Sequence, residues 1–176
     1  TGRKLLHLAR DKVHEKFDGA EVVYGDTDSI FVNFNPKDKG GNPIKGKDGL
    51  KASIDLGVQA EEYIKGFLKP PHNLEYEKTF WPFILFSKKR YIGNKYEFDI
   101  NKYKQTSMGI VLKRRDNADI VKHVYGGVMD IIMNQKDIKK SIKFLKESCL
   151  DLLNGKFPMD MLIITKSLRG FYKNPD

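Results

Sequence analysis

The sequence predicts an α+β fold in which an antiparallel sheet packs with helices and a helical segment follows it. Three observations favour this fold. Two β-branched and aromatic runs flank a polar tip within residues 20–34, strand-forming residues are frequent over 74–98, and the apolar residues beyond 112 recur at helical spacing. The change from strands to helices divides the chain into two predicted domains, residues 1–112 and 113–176.

Helices and a loop surround the first predicted hairpin. Apolar residues at helical spacing predict a helix over residues 3–17, which an Asp-Gly pair ends. The polar, Gly-rich and Lys-rich stretch 35–49 predicts a mobile loop. A second amphipathic helix is expected over 53–68, closed by two consecutive prolines.

Further strand signals follow these helices. Leu74–Glu77 alternates apolar and acidic residues, which predicts a strand with both glutamates on one face. Phe80–Phe86 predicts a buried strand, in which Pro82 requires an edge position or a bend. A further hairpin is expected to lead into Lys95–Phe98.

Two helices that form an antiparallel pair are predicted after the domain boundary. Their apolar stripes, expected to face the core, comprise Val121, Val124, Tyr125, Val128, Ile131 and Ile132 in the first helix and Ile138, Ile142, Leu145, Cys149, Leu152 and Leu153 in the second. Cys149 is the only cysteine, so the chain has no internal disulfide, which fits a reducing compartment. Its place on the stripe predicts a small buried hydrophobic residue.

The composition is that of a folded protein. Apolar residues make up 40% of the chain and aromatic residues 11%, which argues against disorder. No apolar run approaches the ~20 residues that a membrane helix needs, so no membrane partner is expected and the location is expected to be intracellular. The first residue is Thr1 rather than an initiator Met, which indicates a processed chain or a fragment.

The positive charge is concentrated in one segment. Residues 88–115 contain nine Lys or Arg against two acidic residues, which gives +7 of the net charge of +9. The same segment carries the aromatic residues Tyr91, Tyr96, Phe98 and Tyr103. Basic and aromatic residues together are typical of a surface that binds a polyanion, so nucleic acid is the expected partner, with a solvated basic face as the alternative.

The polar tip of the first hairpin carries two carboxylates, Asp26 and Asp28. In an extended chain, residues at this spacing lie on one face with backbones roughly 6–7 Å apart. Such a pair can face two divalent ions ~3.5–4 Å apart, as in phosphoryl-transfer sites, although octahedral Mg²⁺ requires further oxygen ligands.

An Asp-X-Asp pair is a weak signal by itself. It fits a metal site and a plain polar turn about equally, and it also occurs in nucleotide-sugar transferases and aspartate-based phosphatases. A calcium-binding helix-loop-helix is excluded, because Ile30 and Phe31 stand where that loop requires an oxygen ligand and a glycine.

Several motifs together resemble the family B DNA polymerases. The hexad Tyr24–Ser29, YGDTDS, resembles a conserved polymerase motif of that family, and Lys88–Tyr91 resembles its KKRY motif. The segment 74–78 is similar to the acidic strand that precedes KKRY. The runs 109–117 and 163–168 are similar to thumb segments of the δ-like branch, and the closest resemblance is to enzymes of large DNA viruses.

The resemblance implies roles for the carboxylates. It implies that Asp28 is a direct ligand of the catalytic Mg²⁺ ions and that Asp26 is essential but more peripheral. Glu75 and Glu77 are candidates for further metal or electrostatic contacts, with exposed strand carboxylates as the alternative. Tyr24, Gly25, Thr27 and Ser29 would support the motif. The implied reaction is template-directed addition of dNMP to a primer 3′ hydroxyl by two-metal phosphoryl transfer.

The resemblance also implies a DNA interface. It places Lys89 and Tyr91, with Lys88 and Arg90 beside them, near the minor groove of the primer-template duplex. A Lys there can sense pairing geometry without selecting sequence, because the acceptors of the minor groove are similar for every base pair. Arg114 and Arg115 would hold the duplex backbone. The further implied partners are dNTP and a sliding clamp, at a nuclear or viral replication site.

The chain lacks other motifs of the family. Neither DxxSLYPS nor the fingers motif Lys-X3-Asn-Ser-X-Tyr-Gly occurs in the sequence. The chain therefore resembles the C-terminal part of a palm, residues 1–112, and the start of a thumb, residues 113–176. Alone it is expected not to polymerise. The alternatives are a non-catalytic DNA-binding module and a metal-dependent nucleotide-sugar transferase, which would not need the basic segment 88–115.

Overall fold

The computed structural model describes residues 2–113 and 116–165. The fold is α+β, as predicted, with four α-helices and two small antiparallel sheets among the described residues. The chain divides into two compact units. The first comprises Thr1–Trp81 and Gly93–Thr106, and the second comprises Pro82–Ile92 and Ser107–Asp176. These bounds differ from the predicted domain boundary at residue 113. The assignment of the two predicted domains to palm and thumb stays a prediction.

The first unit begins with a helix and a hairpin that share a core. Helix α1 (Gly2–Lys16) precedes strands β1 (Glu21–Asp26) and β2 (Ser29–Asn33), which pair antiparallel. Val13 of α1 and Ile64 are almost fully buried, because the apolar side chains of the hairpin pack against them. Alternating β-branched residues therefore form the hairpin that the sequence predicts.

Helix α2 (Gly46–Lys65) begins seven residues before the predicted start at Ser53. The expected loop up to Gly49 is thus too long. Leu50 and Ile54 are 3% and 5% exposed and pack with Tyr96, so burial holds the first turns helical despite their glycines. Tyr76 lies over Gly57 of α2, where an added Cβ would come within 2.6 Å of the tyrosine ring.

A three-stranded sheet follows, in the order β3 (Thr79–Ser87), β4 (Arg90–Tyr96) and β5 (Lys104–Met108). Pro82 lies in β3, which is an edge strand of this sheet, as its missing N–H predicts. The predicted strand at Leu74–Glu77 is wrong, because these residues form irregular backbone before β3.

The second unit contains the helix pair. A 3₁₀ turn (Val111–Lys113) precedes α3 (Asp119–Asp130), which continues into a π-helical turn (Ile131–Gln135), and α4 (Ile138–Leu153) follows. Ile92 and Met133 are the most buried residues of its core, which Ile110 and Met129 complete. Among the described helices, none has the length and apolar character to cross a membrane.

The buried face of α4 is not the predicted one. Ser141 and Ser148 are buried, whereas the apolar stripe, including Ile142 and Cys149, is exposed. Each serine hydroxyl donates to a carbonyl of its own helix at 2.8 Å, so its burial leaves no unsatisfied hydroxyl. Phe144, on the same face, packs onto Gly127, where an added Cβ would lie 2.5 Å from the ring. The serine face, with Phe144 against Gly127, is therefore the face of α4 that packs.

Candidate functional site

Two carboxylates lie at the turn of the first hairpin. Asp26 pairs with Ser29 in the strand register, so Thr27 and Asp28 form a two-residue loop, and we call residues 26–29 the acidic turn. The N–H of Asp28 donates to the carbonyl of Asp26 at 2.6 Å, and the hydroxyl of Ser29 donates to the same oxygen at 3.1 Å. Hydrogen bonds within the turn therefore fix its backbone.

The backbone of the acidic turn is strained at one residue. Thr27 has φ +52°, a left-handed conformation that β-branched residues rarely adopt. Such a residue costs on the order of 1–3 kcal/mol and persists only where its surroundings impose it. The hydroxyl of Thr27 also donates to Oδ1 of Asp26 at 3.1 Å. The turn is thus a tight, locally determined structure.

The two carboxylates differ in exposure. Asp26 ends β1 and is half-buried, whereas Asp28 is exposed at the corner of the loop. Asp28 lies in the turn, as a polar tip between two strands predicts, so the spacing of an extended chain does not apply to this pair. Gly25 lies within β1.

Aromatic rings support the hairpin below the acidic turn. The rings of Tyr24 and Phe31 lie 5.3 Å apart across the two strands. Phe31 in turn stacks on Phe80 of β3, with 6.1 Å between centroids and 8° between the planes. Such ring pairs stabilise a structure by about 0.5–1.5 kcal/mol beyond their buried area. Tyr24 therefore packs against Phe31 below the acidic turn.

The two candidate glutamates lie on the irregular segment before β3. Glu75 and Glu77 are both exposed and alternate with half-buried Leu74 and Tyr76, so the predicted alternation is present without a strand. The amide of Asn73 donates to Glu75 at 3.0 Å. Glu77 forms an ion pair with Lys78. Both carboxylates thus have partners close in the sequence.

A third glutamate, which the sequence did not single out, holds this segment. Glu61 of α2 accepts the N–H of Tyr76 at 2.7 Å and pairs with Lys65 at 2.6 Å. The hydrogen bond from Lys65, followed by that from the Tyr76 backbone, lowers the pKa of Glu61. A Glu-Lys pair at i,i+4 predicts only a helix-surface contact. The bond to residue 76 depends on tertiary structure and has no signal in the sequence.

The described acidic residues do not form a complete metal site. Across residues 2–113 and 116–165, no group of three or more His, Cys, Asp or Glu side chains could hold a metal ion. No three of Asp26, Asp28, Glu75 and Glu77 therefore form such a cluster. The acidic turn supplies carboxylate oxygens, which Mg²⁺ prefers, but fewer than an octahedral ion requires.

The basic motif forms the turn between β3 and β4. Lys88 and Lys89 are the loop residues and Arg90 begins β4, and we call residues 88–90 the basic turn. All three residues are exposed, and Lys89 has φ +60°. Tyr91 is only 9% exposed, and its ring lies 5.5 Å from that of Phe83. The cations face solvent, whereas Tyr91 is mainly part of the packing.

The remaining predicted DNA contacts, Arg114 and Arg115, lie outside the described residues, as does the part of the run 163–168 from Lys166 onward. The acidic turn and the glutamates belong to the first unit, and the basic turn belongs to the second.

Comparison with known proteins identifies one matching family and several relatives. Residues 2–176 match the family model described as DNA polymerase family B. The DNA polymerase of Pyramimonas orientalis virus is 59% identical over 175 residues, which are 99% of this chain and 14% of that protein. The DNA polymerase of Acanthamoeba polyphaga mimivirus is 45% identical over 88% of the chain and 9% of its own length. The DNA polymerase delta catalytic subunit of Candida albicans is 32% identical over 94% of the chain and 16% of its own length.

Proposed function

Because the chain belongs to DNA polymerase family B, we propose that it forms part of the catalytic subunit of a DNA-directed DNA polymerase. The reaction is addition of dNMP to the 3′ hydroxyl of a primer during DNA replication. The observation that carries this proposal is the acidic turn. The residues that match the family model include a hairpin whose strained loop presents Asp28 to solvent. Hydrogen bonds from Asp28 and Ser29 to Asp26 hold this loop.

Asp28 and Asp26 would hold Mg²⁺ together with a carboxylate from elsewhere in the parent enzyme. When bound, the ions would supply Lewis-acid activation of the primer hydroxyl and neutralise the charge of the triphosphate. The exposed Asp28 is the better direct ligand, and the half-buried Asp26 is the more peripheral one. Glu75 and Glu77, which already have partners in Asn73 and Lys78, would contribute to the local potential rather than to the first coordination shell.

The basic turn would bind the primer-template duplex. Lys88, Lys89 and Arg90 are exposed on a two-residue hairpin loop and its first strand residue, so their charges can approach a polyanion. Lys89 would reach into the minor groove, where a cation senses base-pair geometry without selecting sequence. Tyr91 would anchor the turn, with its hydroxyl end as the part nearest to DNA. Arg114 and Arg115 would add contacts to the backbone.

We assign residues 1–112 to the C-terminal part of the palm and residues 113–176 to the start of the thumb. The parent enzyme would take dNTP as its substrate and a sliding clamp as its partner. It would act within the cell, in the nucleus or at a viral replication site. The names of the relatives, viral DNA polymerases and delta catalytic subunits, favour these assignments.

The isolated chain has a second candidate function as a DNA-binding module without chemistry. The observation in its favour is that the described residues do not bring three metal-binding side chains together. The basic turn would still bind a duplex, whereas primer extension would require the rest of the enzyme.

A chimera tests the proposal. This chain replaces the matching 175 residues of the Pyramimonas orientalis virus DNA polymerase, to which it is 59% identical. We expect the chimera to extend a primer in a template-dependent manner, and we expect the same chain alone to bind the duplex without extending it. A folded chimera that binds the duplex and adds no nucleotide, beside an active parent polymerase, would contradict the catalytic role.

A further inference from the structure

Gly109 makes an unusual contact with the basic turn. It follows β5 directly and has φ +63°, a conformation that glycine adopts without strain. A Cβ built on Gly109 would overlap the carbonyl oxygen of Lys89. It would also lie 3.1 Å from the carbonyl carbon of Lys89 and 3.2 Å from Cγ of Arg90. Two independent constraints, the backbone angle and the contact, therefore exclude a side chain here.

The segments that flank this contact are anchored in the core of the second unit. Ile110, the next residue after Gly109, is 6% exposed and belongs to the core of the second unit. Ile92, two residues after Arg90, is fully buried in the same core. Protein cores are close-packed, so a backbone shift on either side disturbs several neighbours. The least buried part of the contact is the Lys88–Lys89 loop itself, which is therefore the part that would be displaced.

Gly109 contacts the carbonyl group of Lys89, and the position of this group affects the direction of the Lys89 side chain. Lys89 has φ +60°, a strained conformation for a residue with a side chain, and such residues persist where the surroundings impose them. The close approach of Gly109 to the Lys89 carbonyl is one such constraint from the surroundings. A change in this contact rotates the peptide after Lys89 and redirects its ammonium group.

We propose that Gly109 is a positioning residue for DNA binding, which by its close approach to the Lys89 carbonyl fixes the orientation in which the basic turn presents its cations to the duplex. This inference rests on the proposed DNA-binding role of the basic turn. Gly109 itself has no side chain with which to contact DNA, so its effect passes through Lys89.

The test is a double-mutant cycle on the 176-residue chain, with the dissociation constant for a fluorescent primer-template duplex as the readout. Gly109→Ala should raise this constant roughly tenfold, the size of a coupling of about 1.4 kcal/mol. In a Lys89→Gly background the same substitution should change it less than twofold, because the ammonium group is already absent. Gly155→Ala is the matched control, since Gly155 has φ +67° with no atom within 4 Å of an added Cβ.

Lys89→Gly also addresses the stability of the Gly109→Ala chain. A glycine at position 89 lets the carbonyl turn away without a φ penalty, but the φ penalty at residue 109 itself remains. The double variant should therefore regain the part of the melting-temperature loss that exceeds the loss in Gly155→Ala, which carries the φ penalty alone. An equal loss of affinity in both backgrounds, or an excess loss of melting temperature that Lys89→Gly does not restore, would overturn the proposal in favour of a purely structural glycine. A wild-type chain that does not bind the duplex, or binding unchanged by Lys89→Gly, would instead overturn the proposed function.

Discussion

The acidic turn and the basic turn have opposite charge and loops of the same length, and the structure holds them in different ways. Each is a two-residue hairpin loop with one non-glycine residue at positive φ, Thr27 in the first and Lys89 in the second. In the acidic turn, Asp28 and Ser29 donate hydrogen bonds to Asp26 within the same four residues. The basic turn instead lies against the backbone of Gly109, twenty positions further along the chain.

This difference fits the roles that we propose for the two turns. A metal ligand must be rigid relative to its neighbouring carboxylate, and hydrogen bonds within one loop provide that rigidity locally. A group that binds DNA must be oriented relative to a larger surface, and a contact with a distant segment of the same unit provides that. We therefore expect substitutions in the acidic turn to act within the turn, and substitutions near the basic turn to depend on residue 109.

The largest expected effect concerns Asp28. In the chimeric polymerase, Asp28→Asn should lower the rate of primer extension by roughly 10³-fold, because a carboxylate that neutralises the metal ions contributes several kcal/mol. Single-turnover extension measures the rate, and fluorescence anisotropy should find duplex affinity unchanged. Asp11→Asn, at an exposed position of α1, is the control with the same charge change. Near-normal extension by Asp28→Asn would remove Asp28 as a ligand.

The second effect concerns Lys89 and is one of affinity. Lys89→Ala should weaken duplex binding about tenfold and lower the slope of log K against log salt concentration by about 1, since one fewer cation displaces counterions. Titrations at several salt concentrations measure both quantities. Lys39→Ala, in the exposed loop before α2, removes the same charge outside the basic turn and should leave the slope unchanged. Equal slopes for the wild type and Lys89→Ala would contradict a DNA contact by this residue.

The third effect concerns stability within the acidic turn. Ser29→Ala removes the hydroxyl that donates to Asp26 and should cost about 0.5–1.5 kcal/mol of unfolding free energy. The loss should be the same in the Gly109→Ala chain, because the acidic turn is held by its own hydrogen bonds. Ser53→Ala removes a comparable side chain-backbone bond from α2 and serves as the control in urea unfolding. Primer extension by the chimera should fall with Ser29→Ala and not with Ser53→Ala.

The smallest effect concerns backbone strain. Thr27→Asn should stabilise the chain by about 0.5–1 kcal/mol, because Asn tolerates the left-handed region that Thr adopts here. The same change at Lys89 should give a similar gain in melting temperature while weakening duplex binding. Calorimetry and anisotropy on the two variants separate the two results. A gain at Lys89 and a loss at Thr27 would show that the strain in the acidic turn is smaller than φ +52° indicates.

Local features were predictable from the sequence, and tertiary contacts were not. The first hairpin follows from its β-branched arms, and the edge position of β3 follows from Pro82. The early start of α2 is not evident locally, because Leu50 and Ile54 are helical through burial against Tyr96. Sequence periodicity placed α4 with its apolar stripe inward, whereas the structure buries the serine face, with Phe144 against a glycine of α3.

The candidate site shows the same division. The carboxylates and the basic motif are evident as residue types and in their resemblance to family B polymerases, which the family match confirms. The hydrogen bond from Tyr76 to Glu61 and the contact between Gly109 and Lys89 depend on positions that only folding brings together. The sequence identifies the residue types of the candidate site, whereas tertiary structure determines how those residues are oriented.

The contact at Gly109 has a consequence for mutation at the level of the gene. Every other amino acid carries a Cβ, so every missense change of this codon places an atom where the Lys89 carbonyl lies. Positions on exposed helices usually accept several replacements, whereas we expect no single amino-acid replacement of Gly109 to be neutral. In a saturation screen of the full polymerase, codon 109 should therefore be as intolerant as a catalytic position, although the residue takes no part in the chemistry.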